Sequence, residues 1–115
     1  MASKYGLTAF TVQEATNGAT YYTYKSENLT LNGTAAQTTS SWANQPAKEV
    51  VLFAPVGTID DDAVTINLKV NGSYGDSIVV NWDNLPFTIK GLLIEAVKLT
   101  GGSGDDDVIT VLSFH

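Results

Sequence analysis

The stretch that decides the fold is Ala63-Val64-Thr65-Ile66-Asn67-Leu68-Lys69-Val70, which is followed by a turn and then by Ile78-Val79-Val80-Asn81-Trp82. In the first run a bulky apolar residue stands at every second position, so an extended segment has one hydrophobic face and one polar face. The residues between the runs, 71–75, are rich in asparagine and glycine, which favour the tight turn of a β-hairpin. We therefore predict two antiparallel strands that place Val80 and Trp82 in the core.

Comparable short runs occur along the rest of the chain. The segment 85–89 contains Pro86, so it is predicted to be an edge strand or a bent approach to the next element. Runs of this length, with turn residues about every ten positions, are typical of an all-β fold. We predict one domain over 1–115, a single-domain antiparallel β-sandwich or jelly roll of about eight strands. The predicted strands, two of which form an N-terminal hairpin around Asn17-Gly18, are 7–13, 19–25, 28–31, 49–54, 63–70, 78–82, 85–89, 92–99 and 108–114.

The charge of the chain argues against two classes of partner. Twelve acidic residues stand against six lysines, which gives a net charge of −6. Binding to nucleic acid depends mainly on basic side chains that displace counterions from phosphates, and binding to anionic lipid is also opposed by an acidic surface. We therefore predict no nucleic-acid partner and no membrane partner. The N-terminus shows no basic segment leading into an apolar run, so we expect the protein to fold in a cytoplasm.

The residue types needed for catalysis are scarce. The chain has no cysteine and no arginine, and its one histidine is His115. Because proton transfer, transition-metal binding and nucleophilic attack usually draw on these side chains, we predict a protein that is not an enzyme and that carries no cofactor. The alternative is a glycosidase-like pair of carboxylates, for which the candidates in apolar surroundings are Asp76, Asp83 and Glu95.

Two aspartate triplets, 60–62 and 105–107, precede similar strands. Solvated turns that discourage edge pairing are the favoured interpretation. If the two strands were neighbours that run in the same direction, the triplets would meet at one end of the sandwich. The alternative is then a calcium site, because Ca²⁺ takes six to eight oxygen ligands. Its ligands would be Asp60, Asp62, Asp105 and Asp107.

The segment 34–48 is polar and has no hydrophobic periodicity, so it is predicted to be a mobile or partner-facing loop. Trp42 is its one large apolar residue and has no apolar neighbours in sequence. Such a side chain often packs on a partner. We predict that Trp42 and Asn44 contact the partner. Stacking on sugar rings is the alternative use of the aromatic residues Tyr21, Tyr22, Tyr24, Trp42, Tyr74 and Trp82.

Residues 82–102, Trp82-Asp83-Asn84-Leu85-Pro86-Phe87 through Leu99-Thr100-Gly101-Gly102, together with Val108-Ile109-Thr110-Val111-Leu112, resemble the C-terminal half of small virion proteins of tailed bacteriophages. In those proteins a Leu-Pro-aromatic step enters a strand, a Thr-Gly turn follows, and the chain ends after one last apolar strand. The acidic turn 105–107 departs from the commoner Thr-rich version. The resemblance implies no catalytic residues for this chain, because the family has none.

The resemblance implies a virion structural protein, assembled in the host cytoplasm, that decorates and stabilises a capsid. Its partners would be the major capsid protein or another virion protein and further copies of itself. Such contacts need on the order of 1,000 Å² of well-packed interface each. The apolar runs 50–53 and 92–99 would supply part of that area. The alternative function is a carbohydrate- or receptor-binding β module of a phage fibre or spike.

Overall fold

The computed structural model describes residues 23–54, 63–81 and 84–115 of the chain. Within these residues the chain forms nine strands and no helix, so the prediction of an all-β fold is confirmed. No helix that is long and apolar enough to cross a membrane is found in the described part. The strands are β1 (Tyr24–Thr30), β2 (Gln37–Thr38), β3 (Ala47–Phe53), β4 (Ala63–Val70), β5 (Ser73–Tyr74), β6 (Ile78–Asn81), β7 (Phe87–Ile94), β8 (Ala96–Thr100) and β9 (Val108–Phe114).

The strands form two antiparallel sheets that pack against each other. Sheet I has the order β1-β9-β3-β7, and sheet II has the order β2-β8-β4-β5, with β6 also paired to β4. If the two-residue strand β5 is left out, the strands pair from the two ends of the described chain inward: β1 with β9, β2 with β8, β3 with β7, and β4 with β6. The chain is thus one long antiparallel ribbon folded over into two facing sheets. This is the connectivity of a jelly roll, one of the two architectures that the sequence predicts.

The core lies between the sheets and is built from alternate residues of their strands. Ile66 of β4 and Leu99 of β8 are fully buried in sheet II, and Val50 of β3 and Val111 of β9 are fully buried in sheet I. The alternation predicted for 63–70 is therefore confirmed, with Val64, Ile66 and Leu68 buried. In β9 the alternation is less strict, because Ile109, Thr110 and Val111 are all buried. Val80 is also buried, as predicted. Trp82 lies outside the described residues.

The predicted hairpin after β4 is present. Val70 pairs with Ser73, so only two residues, Asn71 and Gly72, form the turn. Both have positive φ, 54° and 84°, which is the backbone of the type I′ turn that Asn-Gly favours. After this turn the chain pairs briefly as β5 and then returns along β4 as β6.

Several predicted strands have different bounds. The predicted strand 49–54 is observed as β3 from Ala47 to Phe53, and the last three residues of 85–89 begin the edge strand β7. The segment 92–99 is not one strand: β7 ends at Ile94 in sheet I, and β8 begins at Ala96 in sheet II. The segment 28–31 is not a separate strand, because β1 runs continuously from Tyr24 to Thr30. Most of the predicted hairpin formed by 7–13 and 19–25 lies outside the described residues.

The connections between the sheets also pair with each other. The segment 31–36 leads from β1 to β2, and the segment 101–107 leads from β8 to β9. Leu31 donates its backbone N–H to the Asp107 carbonyl, and Gly33 donates to the Asp105 carbonyl, both at 2.8 Å. The hydrogen bonding of the ribbon therefore continues where the chain crosses between sheets, and it holds the two sheets in register at that end.

Candidate interaction surface

Strand β7 is an edge of sheet I and carries the most exposed leucines of the described residues. Leu92 is 45% exposed and Leu93 is 58% exposed. Their neighbour Ile94 is completely buried in the core. A strand with strict alternation would turn one of two adjacent leucines inward. The exposure of both leucines follows from an irregularity in the pairing of β7.

That irregularity is a bulge at 91–93. Lys90 pairs with Glu49 and Ile94 pairs with Ala47, so three residues of β7 lie opposite the single residue Lys48. Gly91 opens the bulge with φ of 90°, a conformation that residues with a Cβ rarely adopt. Bulges are frequent at sheet edges, where they interrupt backbone pairing and redirect side chains. The sequence signal for this bulge is a glycine within a strand followed by consecutive apolar residues.

Glu95 forms the crossing from β7 to β8, and its hydrogen bonds hold the crossing in place. Its backbone N–H donates to the Lys69 carbonyl, and its own carbonyl accepts from the Trp42 N–H, both at 2.7 Å. Its carboxylate Oε1 accepts the N–H of Gly72 in the β4–β5 turn at 3.1 Å. Glu95 is half-buried, and its hydrogen bonds to Lys69, Trp42 and Gly72 position the crossing between the two sheets.

The structure does not place a second carboxylate of the predicted glycosidase pair beside Glu95 among the described residues. Asp76 is exposed in the segment between β5 and β6. Asp83 lies outside the described residues. No contact of the described residues brings Asp76 and Glu95 together.

A cluster of two lysines and one tyrosine lies on the outer face of sheet II. Lys98 of β8 places its Nζ 4.6 Å from the centre of the Tyr74 ring, and Lys69 of β4 places its Nζ 5.9 Å from the same centre. Lys69 pairs with Tyr74 across β4 and β5, and the neighbouring pair on β4 and β8 is Asn67 with Lys98. All three side chains are half-buried. We call these residues the lysine–tyrosine cluster.

Trp42 is not a partner-facing residue, and this prediction is wrong. Its side chain is only 2% exposed and belongs to the hydrophobic core. The indole Nε1–H donates to Glu27 Oε2 at 3.3 Å, and the ring meets the His115 ring edge to face at 5.1 Å between centres. Its packing partners come from distant parts of the sequence, which is why the local pattern around Trp42 gives no sign of burial.

The segment 34–48 is also more ordered than a loop. It contains β2 and the start of β3, and Thr39 donates its backbone N–H to the Val97 carbonyl at 3.0 Å. The Ser40 N–H and hydroxyl both donate to the Glu27 carboxylate, at 3.0 Å and 2.7 Å. Asn44 is exposed in the turn that follows Trp42. Its predicted contact with a partner stays a prediction.

His115, which the composition singled out, is a buried structural residue. The Gln45 carbonyl lies 2.6 Å from Nδ1, and the Ser113 hydroxyl lies 2.8 Å from Nε2. A carbonyl oxygen only accepts, so Nδ1 carries a proton and donates to Gln45. The His115 backbone also exchanges hydrogen bonds with Thr23. The imidazole therefore fastens the end of β9 to the β2–β3 connection, and the His115 backbone fastens it to Thr23, the residue before β1.

The aspartates proposed for calcium do not form a site in the described part of the chain. Asp105 is buried, and its Oδ2 accepts the Gly102 N–H at 2.7 Å, so its carboxylate closes the 101–105 turn. The strands that follow the two triplets are β4 and β9, which belong to different sheets. No group of three acidic, histidine or cysteine residues able to hold a metal ion occurs among the described residues. Asp60 and Asp62 lie outside them.

Comparisons of this chain with protein-family models, with curated proteins and with solved structures found no match.

Proposed function

We propose that this protein is a non-enzymatic structural protein of a bacteriophage virion that decorates and stabilises the capsid through protein–protein contacts. The observation that carries the proposal is the pair of exposed leucines on the edge strand β7, held outward by the bulge at 91–93. The jelly-roll connectivity and the resemblance of residues 82–102 and 108–112 to small phage virion proteins support it. Jelly rolls occur in viral capsids and in lectins, so the fold does not distinguish these functions and the surface residues have to.

The physical basis is the cost of leaving Leu92 and Leu93 in water. Complete burial of an exposed leucine side chain is worth about 1.5 to 3 kcal/mol, and because Leu92 and Leu93 are 45% and 58% exposed, covering the remainder is worth roughly half of that for each. Two adjacent leucines therefore form an anchor. The polar residues Thr88 and Lys90 of the same strand are exposed beside them. An apolar centre with polar residues at its rim is the usual anatomy of a protein–protein interface.

The bulge also affects how a partner can bind. Because 91–93 does not follow regular pairing, this part of β7 is a poor template for another strand. The contact is therefore made by side chains. The residues of β7 on either side of the bulge, which pair regularly with β3, limit the orientation of the partner. Binding of further copies of the protein on the same particle follows from the symmetry of a capsid.

The test is co-sedimentation of the purified protein with phage particles from the source of the chain, together with mass spectrometry of those particles. We expect the protein in the particles and a saturable number of copies per head. The Leu92→Ser/Leu93→Ser variant should bind at least tenfold more weakly.

Val79→Ser is the matched control, because Val79 is 64% exposed on β6 in sheet II and should bind as the wild type does. Absence of the protein from the particles contradicts the proposal. Wild-type binding of the leucine variant assigns the contact to another surface. Glycan-dependent binding by the protein in place of particle binding would favour the carbohydrate-binding alternative.

A further inference from the structure

The lysine–tyrosine cluster holds two positive charges close together. Each Nζ lies within 6 Å of the Tyr74 ring centre, at 4.6 Å for Lys98 and 5.9 Å for Lys69. The two ammonium groups are therefore at most 10.5 Å apart, the sum of these two distances. A cation near an aromatic face is attracted by the ring quadrupole, so Tyr74 partly offsets the mutual repulsion of the lysines. The ring thereby holds both charges at one place on the sheet.

This cluster has no counter-charge in contact with it in the described part of the chain. No ion pair joins Lys69 or Lys98 to a carboxylate among residues 23–54, 63–81 and 84–115. Glu95, three positions before Lys98, directs Oε1 to the N–H of Gly72, and Asp76, two positions after Tyr74, is exposed with no ion pair to either lysine among the described residues. In a protein with a net charge of −6, two ammonium groups with no ion pair among the described residues are a local concentration of positive charge.

The cluster is next to the leucines of β7. Glu95 connects the two features, since its N–H donates to the Lys69 carbonyl at 2.7 Å and Leu93 precedes it by two positions. Two residues span at most about 7 Å, and one backbone hydrogen bond adds about as much, so the Cα atoms of Leu93 and Lys69 are within about 14 Å. A partner that wraps around the crossing at Glu95 would reach both features, one in each sheet.

We infer that the capsid-side partner presents an acidic segment whose carboxylates bind Lys69 and Lys98 while neighbouring apolar residues pack on Leu92 and Leu93. The inference rests on the proposed function and specifies the chemistry of the partner in that contact. Complementary charge at the rim of an apolar contact increases the rate of association and fixes the orientation of the partner. Lysine ammonium groups bind carboxylates as compact charges, without the fixed fork of arginine.

The first test uses a peptide probe and needs no particles. Backbone amide signals of the intact protein are followed by NMR while an acetylated, amidated hexaglutamate peptide is added at low salt. We expect shifts at Lys69, Tyr74 and Lys98 that disappear in 0.5 M salt, where the screening length is only a few ångströms. The Lys69→Gln/Lys98→Gln variant should lose the response.

Two single variants with the same net charge control for the loss of positive charge. Lys98→Gln and Lys25→Gln each remove one positive charge, and Lys25 is exposed on β1 at the opposite edge of sheet I. We expect Lys98→Gln to weaken the peptide response several-fold and Lys25→Gln to leave it nearly unchanged. If no signal of the cluster shifts when the peptide is added, the inference is overturned. Shifts with a heparin oligosaccharide but not with the peptide also overturn it, since the site would then bind sulfated sugars.

The second test is binding to particles. The Lys69→Gln/Lys98→Gln variant should bind about three- to tenfold more weakly than the wild type, with a smaller dependence on salt. If the wild type binds and this variant binds equally well with the same salt dependence, the inference fails and the proposed function stands. If the wild type does not bind particles, the proposed function fails, and the peptide titration still decides whether the cluster takes carboxylates.

Discussion

Replacing Trp42 tests the packing of the 34–48 segment. The side chain is 2% exposed, so Trp42→Ala removes a nearly complete indole from the core. Deletion of a large buried aromatic side chain costs about 3 to 5 kcal/mol, from the lost burial and the cavity left behind. With a urea m-value of about 1.5 kcal/mol/M for a chain of this size, the midpoint should fall by about 2 to 3 M.

The hydrogen bond of the indole can be separated from its packing. Trp42→Phe keeps an aromatic ring but loses the Nε1–H that donates to Glu27. The Ser40 hydroxyl still donates to the same carboxylate oxygen, Oε2. Trp42→Phe should therefore cost only about 1 to 2 kcal/mol.

The assay is urea unfolding followed by far-UV circular dichroism, which does not depend on the tryptophan that is removed. Asn44→Ala is the control, because Asn44 is exposed two positions along the same segment and should change stability by less than about 0.5 kcal/mol. If Trp42→Ala is as stable as Asn44→Ala, then Trp42 is not a core residue and the packing described for it is refuted.

Three further predictions concern a tight turn, a buried hydrogen bond and calcium. Gly101→Ala should destabilise the protein by about 1 to 3 kcal/mol, because a Cβ there would lie 2.8 Å from Asp105 Oδ2 and 3.2 Å from the Gly33 carbonyl, whereas Gly102→Ala, with its nearest atom at 3.6 Å, should cost clearly less in the same urea titration. Thr39→Val should cost about 1 to 3 kcal/mol, since the hydroxyl that accepts the buried Val97 N–H is lost, and hydrogen exchange at that amide should become faster. Addition of EDTA should leave the melting temperature unchanged in a thermal scan, and a fall of many degrees would show that aspartates of the chain bind calcium.

The strand pattern of the C-terminal part of the chain could be predicted from sequence where local signals agree. The bounds of β9, Val108–Phe114, equal the predicted ones, because an alternating run follows a glycine-rich turn and the aspartate triplet 105–107. The β4–β6 hairpin was also predictable, since Asn71-Gly72 specifies a two-residue turn. In both cases the information lies within a few residues of the element that it determines.

The crossing at Glu95 could not be predicted in the same way. Residues 92–99 are almost continuously apolar, and such a run fits one buried strand as well as two strands in facing sheets. The crossing depends on partners elsewhere: Trp42 and Lys69 bond its backbone, and Gly72 bonds its side chain. No pattern within the run itself encodes these contacts.

The candidate surface was only partly visible in the sequence. The run 92–99 was expected to contribute apolar contact area, and Leu92 and Leu93 do lie at the surface, whereas the rest of the run is largely buried. Trp42 was assigned to the surface because its sequence neighbours are polar. Its burial depends on Glu27 and His115, which only the folded ribbon brings together. Proximity in space, which local periodicity does not report, separates the correct assignment from the wrong one.

Binding of the protein to the outside of a phage head is tested most directly by a cryo-electron microscopy map of phage heads from the source of the chain. We expect density for the jelly roll on the outside of the head, with β7 facing the capsid and Leu92 and Leu93 buried in the contact. The lysine–tyrosine cluster should lie over acidic residues of the capsid protein. A map in which the protein is bound with β7 exposed to solvent, or heads that carry no copy of the protein, would contradict the account.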